Sequence, residues 1–195
     1  MDFAKPADLI APLLLDATLW HESVGIRVTE VEAYLGADDA AAHSARGRTR
    51  ANAALFGPPG RLYVYHSYGI HKAGNIVAHP PGGSGGVLLR AGEVIAGLDE
   101  VRARRGANIP DHRLASGPGN FGKALGLQIT DNSSPISLAS EGRFRLQLRP
   151  AEQHPDIVMG PRIGITKNAD ALLRYWLPGD PTVSARKTWA QRWPG

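Results

Sequence analysis

The stretch IRVTEVEAYL, residues 26–35, decides the fold of this chain. Its β-branched residues and its alternation of apolar with polar side chains predict a β-strand. Alternation places Glu30, Glu32 and Tyr34 on one face of that strand and the apolar residues on the other. One interpretation is a functional face, because two carboxylates and a phenol are too polar for an ordinary core. The other is the solvated outer face of an antiparallel sheet, which is the default arrangement.

Short strands and short helices follow one another along the rest of the chain. The patterning predicts a strand at 17–22, a hairpin at 61–67 and 70–78 with Tyr68-Gly69 in its turn, a strand at 86–95, helices at 97–105 and 117–125, and a strand at 143–149. We expect three tryptophans to pack in the core: Trp176, Trp189 and Trp193. With no repeat and no linker, these elements predict a single α+β domain, residues 1–195, around a mostly antiparallel sheet.

The composition excludes several kinds of chemistry. The 195 residues include no cysteine, which rules out disulfides, thiolate metal sites and cysteine nucleophiles. The histidine spacing matches no zinc motif and no phosphate-binding glycine loop is present, so we expect no metal and no cofactor. We also expect a cytoplasmic protein without membrane contact, because no secretory signal and no bilayer-spanning apolar run is visible. The net charge of +4 favours an anionic partner such as nucleic acid.

A long loop region at residues 36–60 carries His43-Ser44 followed by Arg46, Arg48 and Arg50. Loops of this length in a compact domain are usually functional. Arginines at alternate positions suit a phosphate backbone, because the planar guanidinium group matches phosphate oxygens. A solvated loop without a ligand explains the same pattern equally well.

Three tyrosines mark the predicted hairpin. Tyr63 and Tyr65 share one face by alternation, where ordinary cross-strand packing accounts for them. Tyr68 falls in the turn, where its large ring is expected to project from the hairpin. An exposed aromatic ring near arginines suits stacking on bases or insertion between base pairs.

Taken together, several blocks of the sequence resemble the alkyladenine (3-methyladenine) DNA glycosylase family. They occur in the family's order and with similar spacing from about Leu9 to Ser184, and they are 29–36 (TEVEAYLG), 42–44 (AHS), 56–60 (FGPPG), 62–65 (LYVY) with Tyr68-Gly69 and Asn75, 87–91 (VLLRA), 116–119 (SGPG) and 162–164 (RIG). The resemblance implies one compact α+β domain with a curved, mostly antiparallel sheet, flanking short helices and a protruding hairpin that inserts into DNA.

The resemblance also implies roles for single residues of a catalytic pocket. Glu32 matches the general base that activates a water molecule. Arg90 and the main-chain carbonyl of Ile163 match groups that hold this water. Three residues match the walls of the pocket that holds the extruded base: Tyr34, His43 and Tyr65. Of these, His43 also matches a residue that hydrogen-bonds the purine.

Further roles concern selectivity and the DNA itself. Asn75 matches a residue that opposes the 2-amino group of normal guanine. Tyr68 matches the wedge that fills the gap left in the duplex by the flipped nucleotide. We expect contacts to the DNA backbone from four residues: Arg46, Arg48, Arg50 and Tyr63.

The implied activity is that of a monofunctional DNA glycosylase of base excision repair. Such an enzyme hydrolyses the N-glycosidic bond of alkylated or deaminated purines, of the 3-methyladenine, 7-methylguanine, hypoxanthine and ethenoadenine type, and leaves an abasic site without strand cleavage. We expect a monomer acting on damaged double-stranded DNA and, in a bacterium, associated with the nucleoid. Two alternatives stay open: a non-catalytic nucleic-acid-binding module of the same fold, and an N-glycosyl hydrolase acting on RNA or nucleosides.

Three positions depart from the pattern that the resemblance carries. Asn120 stands where a lysine often follows Gly-Pro-Gly, which removes a phosphate contact. Arg50-Ala51 stands where Pro-Arg is common, which moves a backbone contact to Arg50. Gly74 replaces a larger apolar residue beside Asn75, which predicts a roomier pocket.

Overall fold

The strand quoted above lies at the centre of a mostly antiparallel sheet. The computed structural model describes residues 1–67, 69, 71–184 and 189–195. Within these residues the chain forms three α-helices, α1 (Ala7–Leu14), α2 (Leu98–Arg105) and α3 (Pro118–Leu125). The same residues form ten strands: β1 (Thr18–His21), β2 (Val24–Tyr34), β3 (Leu62–Ser67), β4 (His71–Val77), β5 (Gly86–Ala96), β6 (Ala115–Ser116), β7 (Phe144–Gln147), β8 (Val158–Gly160), β9 (Arg174–Trp176) and β10 (Gln191–Arg192). The predicted α+β class with a mostly antiparallel sheet is confirmed, and the single domain over residues 1–195 stays a prediction.

The sheet is organised around β2 and β5. Its main order is β10-β8-β9-β2-β5-β4-β3, while β1 joins β2, β6 joins β5 and β7 joins β1. Strand β2 pairs with β1, β5 and β9, always antiparallel. The alternating apolar residues of β2, Val31 and Ala33, have no exposed surface and pack in the main core. The opposite face of β2 is therefore the one left to carry the polar residues.

A β-bulge in β5 places Arg90. The register steps from Val31 opposite Leu89 to Glu30 opposite Ala91, which leaves Arg90 as the extra residue on β5. Bulges bend a strand and re-aim a side chain, and they are frequent beside active sites. Here the guanidinium group is directed at the carboxylates of β2.

Helix α3 supports the hairpin formed by β3 and β4. Two glycines of α3 allow close contact, because a Cβ at Gly122 would lie 1.9 Å from the carbonyl oxygen of Lys72. A Cβ at Gly119 would lie 2.7 Å from the ring of His71. The hairpin is thereby held against the helix that begins beside the polar face of the sheet.

The predicted tryptophan core is confirmed for Trp193, which packs against the main core, and is wrong for Trp189. Trp189 is 62% exposed, and both Trp176 and Trp193 are half-buried. The ring of Trp176 instead packs over the guanidinium carbon of Arg174, at 4.3 Å. In the part of the chain that the structure describes, no helix combines the length and the apolar composition needed to cross a membrane.

Candidate active site

One cavity of about 480 Å³ opens on the polar face of the central sheet. Its lining combines aromatic rings, one carboxylate and one guanidinium group. Eight of the residues singled out from the sequence line it: Glu32, Tyr34, His43, Tyr63, Tyr65, Asn75, Arg90 and Ile163. The structure thus brings together side chains from β2, β3, β4, β5 and two loops.

Glu32 is a fully buried carboxylate whose two oxygens are both engaged. Its Oε1 accepts from the amide of Ile163 at 2.8 Å and lies 3.2 Å from Nη1 of Arg90. Its Oε2 accepts from the hydroxyl of Tyr34 at 2.9 Å. All three contacts are donated to Glu32, which matches an ionised carboxylate because that group only accepts. The solvated-face interpretation of β2 is wrong, since Glu30 and Glu32 have no exposed surface.

Arg90 is shared between two carboxylates. Its Nε donates to Oε1 of Glu30 at 3.0 Å, while Nη1 faces Glu32. Burial lowers the pKa of Arg90, but the negative charges of Glu32 and Glu30 outweigh this and raise it above its usual value. Arg90 is therefore a permanent cation beside the candidate base.

Glu30 lies behind Arg90 and holds it in place. It also accepts from Nε of Arg174 at 2.6 Å and from the amide and hydroxyl of Ser184, at 2.7 and 2.5 Å. Burial alone would raise the pKa of Glu30, yet the charges of Arg90 and Arg174 and the bonds from Ser184 lower it below its usual value. The sequence indicated Glu30 as polar but gave no partner for it.

Three aromatic rings form one wall of the cavity. His43 meets Tyr65 edge-on with ring centres 4.6 Å apart, and Tyr63 stacks on Tyr65 at 5.4 Å. Nδ1 of His43 shares a hydrogen bond with the hydroxyl of Tyr63, at 3.1 Å. Partial burial lowers the pKa of His43, which favours its neutral ring, and burial raises the pKa of Tyr63 to about 12.

Tyr63 occupies a different place from the predicted one. We expected it at the DNA backbone, but its side chain is almost fully buried and its hydroxyl is bound to His43. A ring enclosed in this way belongs to the wall of the cavity.

Tyr34 forms another wall and is backed by a buried ion pair. The guanidinium carbon of Arg162 lies 4.5 Å from the centre of the Tyr34 ring. Arg162 contacts both oxygens of Asp39, at 2.5 and 2.8 Å, and neither side chain is exposed. Burial would raise the pKa of Asp39, but the bonds from Arg162 and Asn168 lower it to about 2. Burial and the charge of Glu32 raise the pKa of Tyr34, so its hydroxyl stays protonated.

Asn52 organises the loop that carries the three arginines. Its side-chain amide donates to the carbonyls of His43 and Gly47, at 2.9 and 3.0 Å, and its Oδ1 accepts from the amide of Thr49 at 2.6 Å. These bonds fix the backbone of His43. The exposed side chains of the loop include Arg46, Arg48 and Arg50.

Asn75 is buried in the cavity wall, with its Nδ2 donating to the carbonyl of Tyr63 at 3.3 Å. The roomier pocket predicted from Gly74 is wrong. A Cβ at Gly74 would meet Leu127 at 2.5 Å, because alternation turns this residue away from the cavity and toward the core. Tyr68, the predicted wedge, lies outside the described residues.

Sequence reasoning missed several residues that support the site. They are Asp39, Asn52, Arg162, Arg174 and Ser184, and the amide of Ile163 also escaped notice. One signal was available: Arg162 opens the matched block at 162–164, which ends beside the cavity. Within the described ranges, no three His, Asp or Glu side chains come close enough to hold a metal ion.

The arrangement suits activation of a water molecule in an aromatic slot. A carboxylate in contact with a cation can accept a proton, while the rings can stack on a planar ligand. A cavity of this volume falls in the range of small-molecule sites.

Comparison with known proteins agrees with this chemistry. The family model described as methylpurine-DNA glycosylase matches residues 1–181. A protein of Corynebacterium glutamicum named "Putative 3-methyladenine DNA glycosylase" is 58% identical over 187 residues, which cover 96% of each chain. Proteins with the same name from Cutibacterium acnes and Rhodopseudomonas palustris are 49% and 47% identical; the matches cover 96% and 93% of this chain and 100% and 87% of theirs. The chain therefore belongs to the methylpurine-DNA glycosylase family.

Proposed function

We propose that this protein is a monofunctional DNA glycosylase that hydrolyses the N-glycosidic bond of alkylated or deaminated purines and leaves an abasic site. The observation that carries the proposal is the position of Glu32. It is a fully buried carboxylate that lines an aromatic cavity and is held by three donors. The name that the relatives carry supports 3-methyladenine as one substrate of the class.

The aromatic walls would receive a flipped base. A base inside a duplex shields its sugar carbon, so glycosylases extrude the nucleotide into a pocket, an example that general accounts of base flipping also use. Tyr34, His43 and Tyr65 offer ring surfaces for stacking, and electron-poor purines stack well on tyrosine. The neutral ring of His43 can donate one hydrogen bond to the purine.

Glu32 would act as the general base. Water held by Arg90 and by the carbonyl of Ile163 attacks the sugar carbon, and Glu32 accepts its proton. As the bond to the base breaks, the electron pair leaves with the purine, and the sugar gains positive charge that the carboxylate stabilises. A cationic alkylpurine leaves as a neutral base, whereas a neutral purine needs a proton to leave.

Selectivity against normal guanine is assigned to Asn75. Its amide is fixed on the cavity wall by the carbonyl of Tyr63. A fixed polar group opposing the 2-amino group of guanine leaves one buried donor unpaired, which weakens binding of the normal base.

Water, and not a protein amine, is the nucleophile in this proposal. A lyase step needs an amine near the sugar carbon. Among the described residues, no lysine lines the cavity. This supports release of the base without strand cleavage.

The exposed arginine loop would bind the DNA backbone. Arg46, Arg48 and Arg50 are exposed, which leaves their guanidinium groups accessible to phosphates. Tyr68, which lies outside the described residues, stays our prediction for the wedge. Damaged DNA as the substrate would place the protein on the chromosome, in the cytoplasm of a bacterial cell.

The test uses duplexes with one hypoxanthine, ethenoadenine or 7-methylguanine, treated with alkali after incubation to reveal abasic sites. Glu32→Gln is expected to abolish base release while it keeps lesion binding, and the exposed Glu152→Gln is the matched control. Release by Glu32→Gln at the wild-type rate would refute the mechanism. Lesion binding without turnover on any substrate would favour a non-catalytic nucleic-acid-binding module. Faster base release from RNA or nucleosides than from duplex DNA would favour an N-glycosyl hydrolase that acts on those substrates.

A further inference from the structure

We propose that the buried Asp39–Arg162 ion pair behind Tyr34 sets how the cavity discriminates between cationic and neutral damaged bases. The proposal rests on the proposed function, because it concerns the bases that the cavity receives. It makes Asp39 and Arg162 specificity-determining residues that act through the ring of Tyr34.

The Tyr34 ring separates Arg162 from the cavity. Arg162 lies 4.5 Å from the ring centre, has no exposed side-chain surface and does not line the cavity, whereas Tyr34 does. Arg162 therefore covers the ring face that is turned away from the ligand. A base stacked on the other face, at about 3.5 Å, would lie roughly 8 Å from the guanidinium carbon.

At that distance a bare guanidinium charge matters. With an effective dielectric constant of about 20, two unit charges roughly 8 Å apart repel enough to change an affinity about thirtyfold. Arg162 also interacts with the negative π-system of the Tyr34 ring, and a cationic base would stack on that same ring. Asp39 cancels this effect, since its carboxylate contacts Arg162 at both oxygens.

The remaining charges around the cavity are already balanced. Arg90 faces Glu30 and Glu32, and Glu30 also faces Arg174. These four groups sum to zero, so the cavity has no excess of either sign. Loss of one charge from the Asp39–Arg162 pair would therefore change the preference of the cavity between cationic and neutral bases.

Single substitutions should leave the backbone geometry largely in place. In Asp39→Asn, Arg162 keeps the carbonyl of Ala33 as an acceptor, at 2.9 Å. In Arg162→Gln, Asp39 keeps three donors, from the amides of Leu35 and Ala41 and from the side chain of Asn168. The residual charge is therefore retained near the ring in both variants, with opposite sign.

The experiment measures release of 7-methylguanine, a cationic base, and of hypoxanthine, a neutral one, from otherwise identical duplexes, with excess enzyme below its dissociation constant so that the rate depends on the affinity for each lesion. Asp39→Asn is expected to lower the ratio of cationic to neutral release about thirtyfold. Arg162→Gln is expected to raise that ratio, and Asp39→Asn/Arg162→Gln to restore it to within about twofold. A merely structural pair would slow both substrates equally in every variant, and that result would overturn the inference.

Folding of each variant is followed by thermal melting and circular dichroism. If one single variant does not fold, the other decides, because the two are expected to shift the ratio in opposite directions: a shift in the expected direction supports the inference and an unchanged ratio overturns it. A wild-type protein that releases neither base refutes the proposed function and the inference with it. A wild type that releases both, with variants that do not alter the ratio, refutes the inference alone.

Discussion

Replacing Glu30 with glutamine is expected to destabilise the protein strongly, because Glu30 neutralises two buried arginines. Glu30 is fully buried and forms ion pairs with Arg90 and Arg174. Glutamine keeps the size but removes the counter-charge, and removing one partner of a buried pair costs about 3–5 kcal/mol. For a chain of this length, that corresponds to a fall in melting temperature on the order of 10 °C. Urea unfolding at pH 7 measures the loss, with the exposed Glu141→Gln as the matched control.

The pH dependence of this loss provides a sharper test. The pKa of Glu30 is lowered in the folded protein, so its stabilising contribution is present above the usual glutamate pKa of about 4.3 and is lost as the pH falls through the folded value. The gap between wild type and Glu30→Gln should therefore narrow as the pH falls from about 5 toward 3. A gap below about 1 kcal/mol at pH 7, or one that does not change with pH, would refute the reasoning.

Three other substitutions give separate expectations. Arg90→Lys keeps the charge but cannot span both carboxylates, so single-turnover base release should fall about 100-fold with lesion binding retained, and an unchanged rate would contradict the role of Arg90. Asn52→Ala removes the bonds that fix His43, so urea unfolding should show a loss of about 1–3 kcal/mol, together with weaker lesion binding in a titration. Gly74→Ala forces Leu127 to move and should cost about 1–3 kcal/mol, while the ranking of substrates in a lesion panel stays unchanged; a changed ranking would return Gly74 to the cavity wall.

Local patterning predicted the elements well because their signals are local. The strand predicted at 26–35 is observed at Val24–Tyr34, and the helix predicted at 97–105 is observed at Leu98–Arg105. Alternation also put Glu30 and Glu32 on one face, but it could not say whether that face meets solvent or a cavity. The resemblance supplied the residues of the cavity, because ordered blocks of sequence carry long-range information that periodicity lacks.

The supporting ion pairs could not be predicted from the chain. Asp39 and Arg162 are 123 residues apart, and Glu30 and Ser184 are 154 apart, so no local period links them. The bulge at Arg90 had a weak signal in Gly92, since glycine inside a strand often marks a bulge or a close approach. A Cβ at Gly92 would lie 2.5 Å from the carbonyl oxygen of Arg27, which confirms the close approach.

The buried charges around the cavity make more sense as catalytic machinery than as sources of stability. Three acidic and three basic side chains there are at most 6% exposed: Glu30, Glu32, Asp39, Arg90, Arg162 and Arg174. Well-packed apolar residues are often as stabilising as buried ion pairs, since each ion must lose its hydration. A general base in an aromatic slot, however, has to remain charged while bulk water is kept out, and the fixed, paired charges around it achieve this. The unfavourable burial of these charged side chains therefore serves to keep Glu32, the carboxylate that the proposed reaction requires, in its charged form.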